Sequence, residues 1–528
     1  MVLHIKARSR AAGVILGVLF ILAAGCSASS NDVAASPDGG AVPDAPAQEC
    51  PAVGASLCAG VSVETCEKHG DVTAWSAAAA CPGDQTCRSG ACQDPTARQL
   101  AQATSVAALV DALAPSTAWH EPVDADAVKA RERKAILKGD GSDGAFFGAA
   151  WRTMNAFPQG HQSLFSTDPT VCGKKMEYQQ SSRFGVCGRP SASGLAVTFA
   201  RAGNKLGLAL GEVVTRAGDA AGDALLEASY LRPVCGGVFP AASGRRYAGA
   251  ASFFGNVPTG MKLSVRGLDG ATRDVTVPAE RDAATTDCTD PFARDRRIYA
   301  EATVRPDGVA VIRLPSFFPF DKAVPTSGTQ ADFDALIAAY QAEIKKVFET
   351  VKTAPGIVWD ARGNTGGITS VGLAIVSGFG TARKTAISYC RTRTKGSSPP
   401  AYDTDRYALY GIDPGGPFAY AGKVAVVTDG LAYSAGDYFP FAAARGSSAP
   451  VVGSASAGAY GGGRAPIELD GPPQLSANYD PTACFDAASD KPLEGAPLPP
   501  KVAVEYDPKD LAAGKDTIVE RAVLELGL

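Results

Sequence analysis

The apolar residues of this chain change period along its length, and each period predicts a different element. From about residue 96 to 156 they recur at three- and four-residue spacing, in LAQATSVAALVDAL and again in GAFFGAAWRTMNAF, which predicts helices. A β-rich region begins near Ser193-Gly194-Leu195. In it LGEVVTRAGD reads as a strand, and MKLSVRGLDGATRDVTV as two alternating strands whose connection holds Asp269-Gly270, the signature of a hairpin. Further on, Gly308 to Leu314 (GVAVIRL) predicts a strand. Phe333, Leu336, Ile337, Tyr340, Ile344, Val347, Phe348 and Val351 then form one helical stripe, and Gly356 to Asp360 (GIVWD) predicts the next strand. Strand, helix, strand with short joins is a βαβ unit with parallel strands. Lys423 to Thr428 and Pro450 to Gly453 add further buried strands, so the expected fold class is α/β with a parallel-sheet core.

The N-terminal pattern is of another kind. Residues 1–25 read as an export signal: a basic start with Lys6, Arg8 and Arg10, an apolar run from Ala11 to Leu22, then Ala23-Ala24-Gly25-Cys26. A run that short does not span a bilayer comfortably. Small residues directly before a cysteine resemble the lipobox of bacterial lipoproteins, although Ala23 stands where a leucine is usual. The resemblance implies lipidation of Cys26 and a membrane anchor in the periplasm or on the cell surface; an ordinary secretory signal is the alternative. Residues 26–48, nearly all Ala, Ser, Asp, Gly and Pro after Cys26, read as a flexible tether. Residues 49–95 hold six cysteines without a C-x-x-C pair, which favours a small disulfide-stapled module over a zinc site.

Composition narrows the classes. A chain of 528 residues, 45% of them hydrophobic, has room for two or three domains with cores of their own. A net charge of -4 gives no attraction for nucleic acid or an anionic lipid surface. Beyond the module and Cys26, six cysteines remain (Cys172, Cys187, Cys235, Cys288, Cys390 and Cys484), and even counts in both groups suit disulfides in an oxidising compartment.

In open parallel sheets, ligands gather where strands end and helices begin. Two such places stand out: Asp360-Ala361-Arg362-Gly363-Asn364-Thr365-Gly366-Gly367, and Ser434 in VAVVTDGLAYSAGDYF. Glycines opening a helix expose N–H groups that can receive developing negative charge, and a nucleophilic serine needs a base. The chain has four histidines: His4 in the signal, His69 in the cysteine-rich module, and His120 and His161. None follows Ser434, which excludes the serine, aspartate, histidine order of an α/β-hydrolase, and Ala432 breaks the G-x-S-x-G elbow. A lysine base shortly after the serine is excluded too, since the next lysine is Lys491.

VVTDGLAYSAGDYF, GIVWDARGNTGG and the closing LEGAPLPPKVAVEYDPKDLAAGKDTIVERAVLEL resemble the signature blocks of the carboxyl-terminal processing peptidases, or tail-specific proteases, which form serine peptidase family forty-one. The resemblance covers roughly residues 100 to 528. It implies a ClpP/crotonase-like core (291–528), a PDZ-like insert (191–290) that receives the C-terminal ends of polypeptide substrates, and a helical N-terminal region (96–190). Absence of the lysine points to the tricorn-core-like branch, whose base is a histidine ahead of the insert. By that resemblance Ser434 is the nucleophile, His161 in FPQGHQSLF the base, and Glu494 in PLEGAPLPP the group that supports it. Ala435 with Gly366 or Gly367 would form the oxyanion hole, and no metal or organic cofactor is implied.

Gly160 stands where that branch has a serine, Pro440 is expected to disturb the helix after Ser434, and Gly458 to Gly463 (GAYGGG) reads as a mobile loop. Arg362 and Asn364 read as holders of the glycine loop, Asp437 as a first-turn helix carboxylate, and His120 as the reserve base. A bridge between Cys390 and Cys484 would staple the Glu494 loop to the sheet. The expected activity is peptide-bond hydrolysis through an acyl-enzyme. An esterase using the same residues, or a binding protein that keeps the scaffold without catalysis, are the alternatives.

Overall fold

The computed structural model describes residues 50–528 apart from 51, 60, 70–71, 167–180, 233–235, 322–327, 381–382 and 470–474. The export signal, the tether and Cys26 therefore lie outside the described residues, as do Cys172 and Cys235. Among the described residues no helix is long and apolar enough to cross a membrane.

Six strands form the central sheet, in the order Glu301–Val304, Ala310–Arg313, Gly356–Asp360, Lys423–Thr428, Val451–Gly453 and Val502–Ala503. All pairings are parallel except the first. The middle strands are unbroken apolar runs because both faces are covered. Ile357, Trp359 and Val426 point to one side, where Leu336, Tyr340, Ile344 and Phe348 of the helix Gln330–Val351 pack on them. Val358, Ala425 and Val427 point to the other, against Ile518, Ala522 and Leu526 of the helix Thr517–Leu526. The strand, helix, strand unit expected from GVAVIRL and GIVWD is present, with Thr329 and Asp332 capping the helix reciprocally.

The β-rich insert is an antiparallel sheet of Val186–Ser191, Gly194–Ala200, Val213–Ala217, Lys262–Arg266 and Thr272–Thr276. The last two are the expected hairpin, turning at Gly270 with φ 84°. Two helices, Gly222–Leu231 and Ala242–Asn256, pack on this sheet. The second is buried on almost every side, and at Gly249 a Cβ would lie 2.0 Å from the Leu226 carbonyl oxygen. A helix buried all round carries no polar stripe for the sequence pattern to reveal. Cys187–Cys288 ties the first strand to the chain leaving the insert.

The N-terminal region supplies the expected helices as Ala97–Leu113 and Asp143–Ala156, with Ala125–Lys138 between them. The cysteine-rich module, closed by Cys50–Cys66, Cys58–Cys87 and Cys81–Cys92, is seated on Ala125–Lys138. Lys138 Nζ donates to the Cys81 carbonyl at 3.2 Å, and the Thr86 hydroxyl donates to the Lys138 carbonyl at 3.0 Å. After the third helix the chain enters the strand Ser163–Ser166. That strand pairs with Leu475–Tyr479 and Gly236–Gly237, joining the N-terminal region and the insert to the far end of the chain.

Candidate active site

Ser434 sits between the buried strand Lys423–Thr428 and the helix Ala435–Gly446. The turn before it is fixed from the neighbouring strand's loop. Asp429 Oδ1 accepts the N–H groups of Leu431 and Gly363, both at 3.0 Å, and the Asn364 carbonyl accepts the Tyr433 N–H at 3.0 Å. Held in this way, Ser434 takes φ 59° and ψ −124°. That conformation costs a non-glycine residue about 1–3 kcal/mol and is typical of functional turns. Its side chain makes no capping bond to its own helix. The helix runs through Pro440 to Gly446 rather than breaking. Its residues from Ala435 to Ala443 are all buried, and that packing offsets the one backbone bond the proline cannot make.

The glycine loop lies directly against this turn. A Cβ on Gly366 would be 2.6 Å from Ser434 Cβ and 3.0 Å from the Ala435 nitrogen, and one on Gly367 would be 2.1 Å from the Phe317 oxygen. Gly366 and Gly367 have φ 101° and 132°, so only glycine fits either place. The Gly366 N–H is already given to Asn364 Oδ1 at 2.9 Å. Among the described residues the N–H groups of Gly367 and Ala435 have no hydrogen-bond partner. Arg362 and Asn364 hold the loop, as expected: Arg362 is buried in bonds to Asp360, Asp516 and Tyr506, and Asn364 Nδ2 donates to the Leu314 carbonyl at 3.0 Å.

His161 also has a left-handed backbone, φ 63°. Its N–H is bonded to the Tyr433 hydroxyl, and the two rings lie 5.0 Å apart. The Tyr433 that precedes Ser434 is thus the wall behind His161. The His161 side chain is 7% exposed and lines a small cleft with Ser163, Gly236, Gly237, Tyr433 and Arg464. Burial, with the nearby Arg464 charge adding to it, pushes its pKa down to about 3, so the ring is neutral at ordinary pH. Among the described residues no hydrogen bond joins it to Ser434. His120, half-buried, packs its ring on Trp119 instead, 4.8 Å away, and among the described residues no hydrogen bond joins it to Ser434.

Glu494 is fully buried, but it does not meet the imidazole in the way a supporting carboxylate was expected to. Oε1 accepts the Gly160 N–H at 2.6 Å, and Oε2 accepts those of Tyr460 and Gly461, each at 2.9 Å. It therefore braces the backbone just before His161. The carboxylate that faces the ring is Asp480, whose Oδ2 lies 3.9 Å from His161 Nδ1. Sequence reasoning missed Asp480, because one aspartate before a proline in NYDPTACF carries no periodic or motif signal.

The segment expected to be a mobile loop is instead clamped. Asp437 accepts the N–H groups of Gly458 and Ala459 at 2.9 and 3.0 Å, Glu494 those of Tyr460 and Gly461, and Asp480 that of Gly463 at 3.0 Å. The Ala459 carbonyl in turn accepts the Ser434 N–H at 3.0 Å. Burial pushes Asp437 up to about 7 and Asp480 up to about 8, and holds Glu494 well above the usual carboxylate range, with Asp480 adding to the last. Cys390–Cys484 joins the adjacent strands Thr385–Thr392 and Thr482–Asp486, the bridge expected near Glu494. Among the described residues no group of three His, Cys, Asp or Glu side chains is arranged to hold a metal ion.

Residues 308–487, which hold the glycine loop, Ser434 and Asp480, match the model of peptidase family S41. That segment is an S41 serine peptidase domain. The S41 domain implies polypeptide substrates, and the two CPAF structures agree with it at the level of fold. Mature CPAF complexed with lactacystin aligns at 12% identity over 82% of this chain and 98% of that one, with a TM-score of 0.56. Mature CPAF aligns at 13% identity over 82% and 97%, again with a TM-score of 0.56. The tricorn protease overlaps 81% of this chain and 37% of its own, at 16% identity and a TM-score of 0.38. No curated protein matches the chain.

Proposed function

We propose that the protein is an exported, lipid-anchored serine endopeptidase of the tricorn-like branch, in which Ser434 attacks the peptide carbonyl and His161 is its base. The observation that carries this reading is the Ser434 turn: a left-handed serine at the head of a buried helix, with the unbonded Ala435 N–H beside it and the neutral His161 packed on Tyr433. In the proposed sequence the serine proton passes to His161 Nε2 as the C–O bond forms. The carbonyl oxygen gains negative charge and is received by the N–H groups of Ala435 and Gly367. His161 then gives the proton to the leaving amine, and water releases the acyl group from Ser434. Glu494 supports the base through the Gly160 backbone. Serine and imidazole must close up when substrate binds, a tightening common to such sites.

In the same reading the six-stranded core is ClpP/crotonase-like, and the insert is a PDZ-like module that receives C-terminal ends of substrates. Cys26 anchors the chain to a membrane. The disulfides Cys50–Cys66, Cys58–Cys87, Cys81–Cys92, Cys187–Cys288 and Cys390–Cys484 suit the oxidising compartment that export implies. The test is cleavage of an unfolded polypeptide by the purified protein beside its Ser434→Ala and His161→Ala variants. The proposal expects cleavage that falls by about 10³-fold or more in each variant. A folded protein that cleaves no substrate would leave the domain as a binding scaffold, and cleavage that survives Ser434→Ala would place the nucleophile elsewhere.

A further inference from the structure

His161 Nδ1 and Asp480 Oδ2 are both fully buried, and among the described residues neither has a hydrogen-bond partner. They face one another at 3.9 Å. A buried polar atom left unpaired costs about 1–3 kcal/mol, and two such atoms opposite each other are accounted for together if a small movement closes them into one bond. Asp480 is otherwise firmly held: Oδ1 accepts the N–H groups of Thr482 at 2.8 Å and Gly463 at 3.0 Å, and its carbonyl accepts the Ala118 N–H at 2.8 Å. Oδ2, the oxygen aimed at the imidazole, has no hydrogen-bond partner among the described residues. Glu494 is not in this position, because turning it toward the ring would strand the buried N–H groups of Gly160, Tyr460 and Gly461.

We propose that Asp480 is the positioning residue of His161: its Oδ2 accepts the Nδ1 proton of the imidazole, which leaves Nε2 unprotonated and directed to the Ser434 hydroxyl. The proposal rests on the serine-peptidase reading above and adds the carboxylate that reading lacked. During attack the Ser434 proton moves to Nε2, the imidazolium keeps Nδ1–H on Asp480, and the Nε2 proton leaves with the amine, so protons balance. Such a carboxylate fixes the tautomer and stabilises the imidazolium without itself taking the proton.

The charged and titratable groups around the pair are Glu494 and Asp437 across the Gly458–Gly463 segment, Arg464 beside the ring, and Tyr433 beneath it. Burial disfavours a charge on Asp480 and pushes its pKa up to about 8, so its protonated form persists into that region. While protonated, Asp480 donates to Nδ1 and forces the inactive Nε2–H tautomer. Activity therefore climbs as pH rises through that region.

Asp480→Asn tests this with little change to the fold, since the amide oxygen still serves Thr482 and Gly463. Its NH₂ then donates to Nδ1 and leaves Nε2 protonated. The expected result is kcat lower by about 10³- to 10⁴-fold with KM little changed, and loss of the rising alkaline limb. A second readout needs no activity. In the full chain labelled with ¹⁵N-histidine, the His161 resonance, identified by its absence in His161→Gln, should report Nδ1–H at pH 9 and Nε2–H in Asp480→Asn. An Nε2–H tautomer in the unsubstituted chain at pH 9, or kcat and pH profile unchanged in Asp480→Asn, overturns the proposal. If the variant does not fold, the spectrum of the unsubstituted chain decides alone. Ser434→Ala that still cleaves substrate would place the nucleophile elsewhere and leave the tautomer result standing.

Discussion

A Cβ on Gly160 would lie 2.4 Å from Glu494 Oε1 and 2.6 Å from Ala459 Cβ, so the place where the related branch carries a serine has no room here for any side chain. The site uses that space for a carboxylate–backbone contact. Gly160→Ala is accordingly expected to destabilise the protein by about 1–3 kcal/mol, the usual range for overpacking a tight site, and to lower kcat by displacing His161. Thermal melting checks the first part, and a melt superimposable on the parent would contradict it. Glu494→Gln has a different signature. Three buried N–H donors face that carboxylate, and an amide turns an NH₂ on at least one of them, a loss of about 1–3 kcal/mol readable in urea denaturation. The His161 tautomer should be unmoved by it, in contrast to Asp480→Asn.

At the scale of elements, Cys390–Cys484 bridges the strands Thr385–Thr392 and Thr482–Asp486, and Leu493, next to Glu494, donates its N–H to the Cys484 carbonyl at 2.8 Å. Replacing both cysteines by alanine should remove about 2–5 kcal/mol and loosen the Glu494 segment first. Hydrogen exchange at Tyr460 and Gly461 would show it, and unchanged protection there would count against the coupling. The elements that were legible in the sequence had a pattern of their own. The stripe from Phe333 to Val351 and the apolar centres of the GIVWD and KVAVVT runs are local signals of burial. Ser163–Ser166 has no such signal, because its partner Leu475–Tyr479 lies some three hundred residues further along the chain and no local period encodes that pairing. The GAYGGG segment misled for a related reason: its glycines suggest freedom, whereas they make room for Asp480 and Glu494. A Cβ on Gly461 would lie 2.1 Å from Asp480 Oδ2. Ser434 and His161 are singled out in the sequence by the resemblance and the short supply of histidines, while the approach of Asp480 to the His161 ring is visible only in the fold.

The buried carboxylates set a pH dependence for the molecule as a whole. Asp437 is held up to about 7 and Asp480 to about 8, against an ordinary aspartate value of about 3.9. Between those limits the folded chain keeps protons that the unfolded chain has lost, so stability falls as pH rises. His161, pushed down to about 3, acts in the opposite sense, but its contribution is complete above about pH 6.5. From pH 6.5 to about 8 the carboxylates act alone, and the urea midpoint should decrease across that window, less steeply in Asp437→Asn. A midpoint that rises or stays level would contradict the burial of these groups. The same fold that holds these acids also holds the left-handed Ser434, and the claim that matters most is that this serine is the nucleophile. A fluorophosphonate incubated with the folded protein, followed by peptide mapping, tests it directly. The account predicts one covalent adduct on Ser434, absent in Ser434→Ala and slowed in His161→Ala; an adduct on another serine, or none under conditions where the protein cleaves polypeptide, would contradict it.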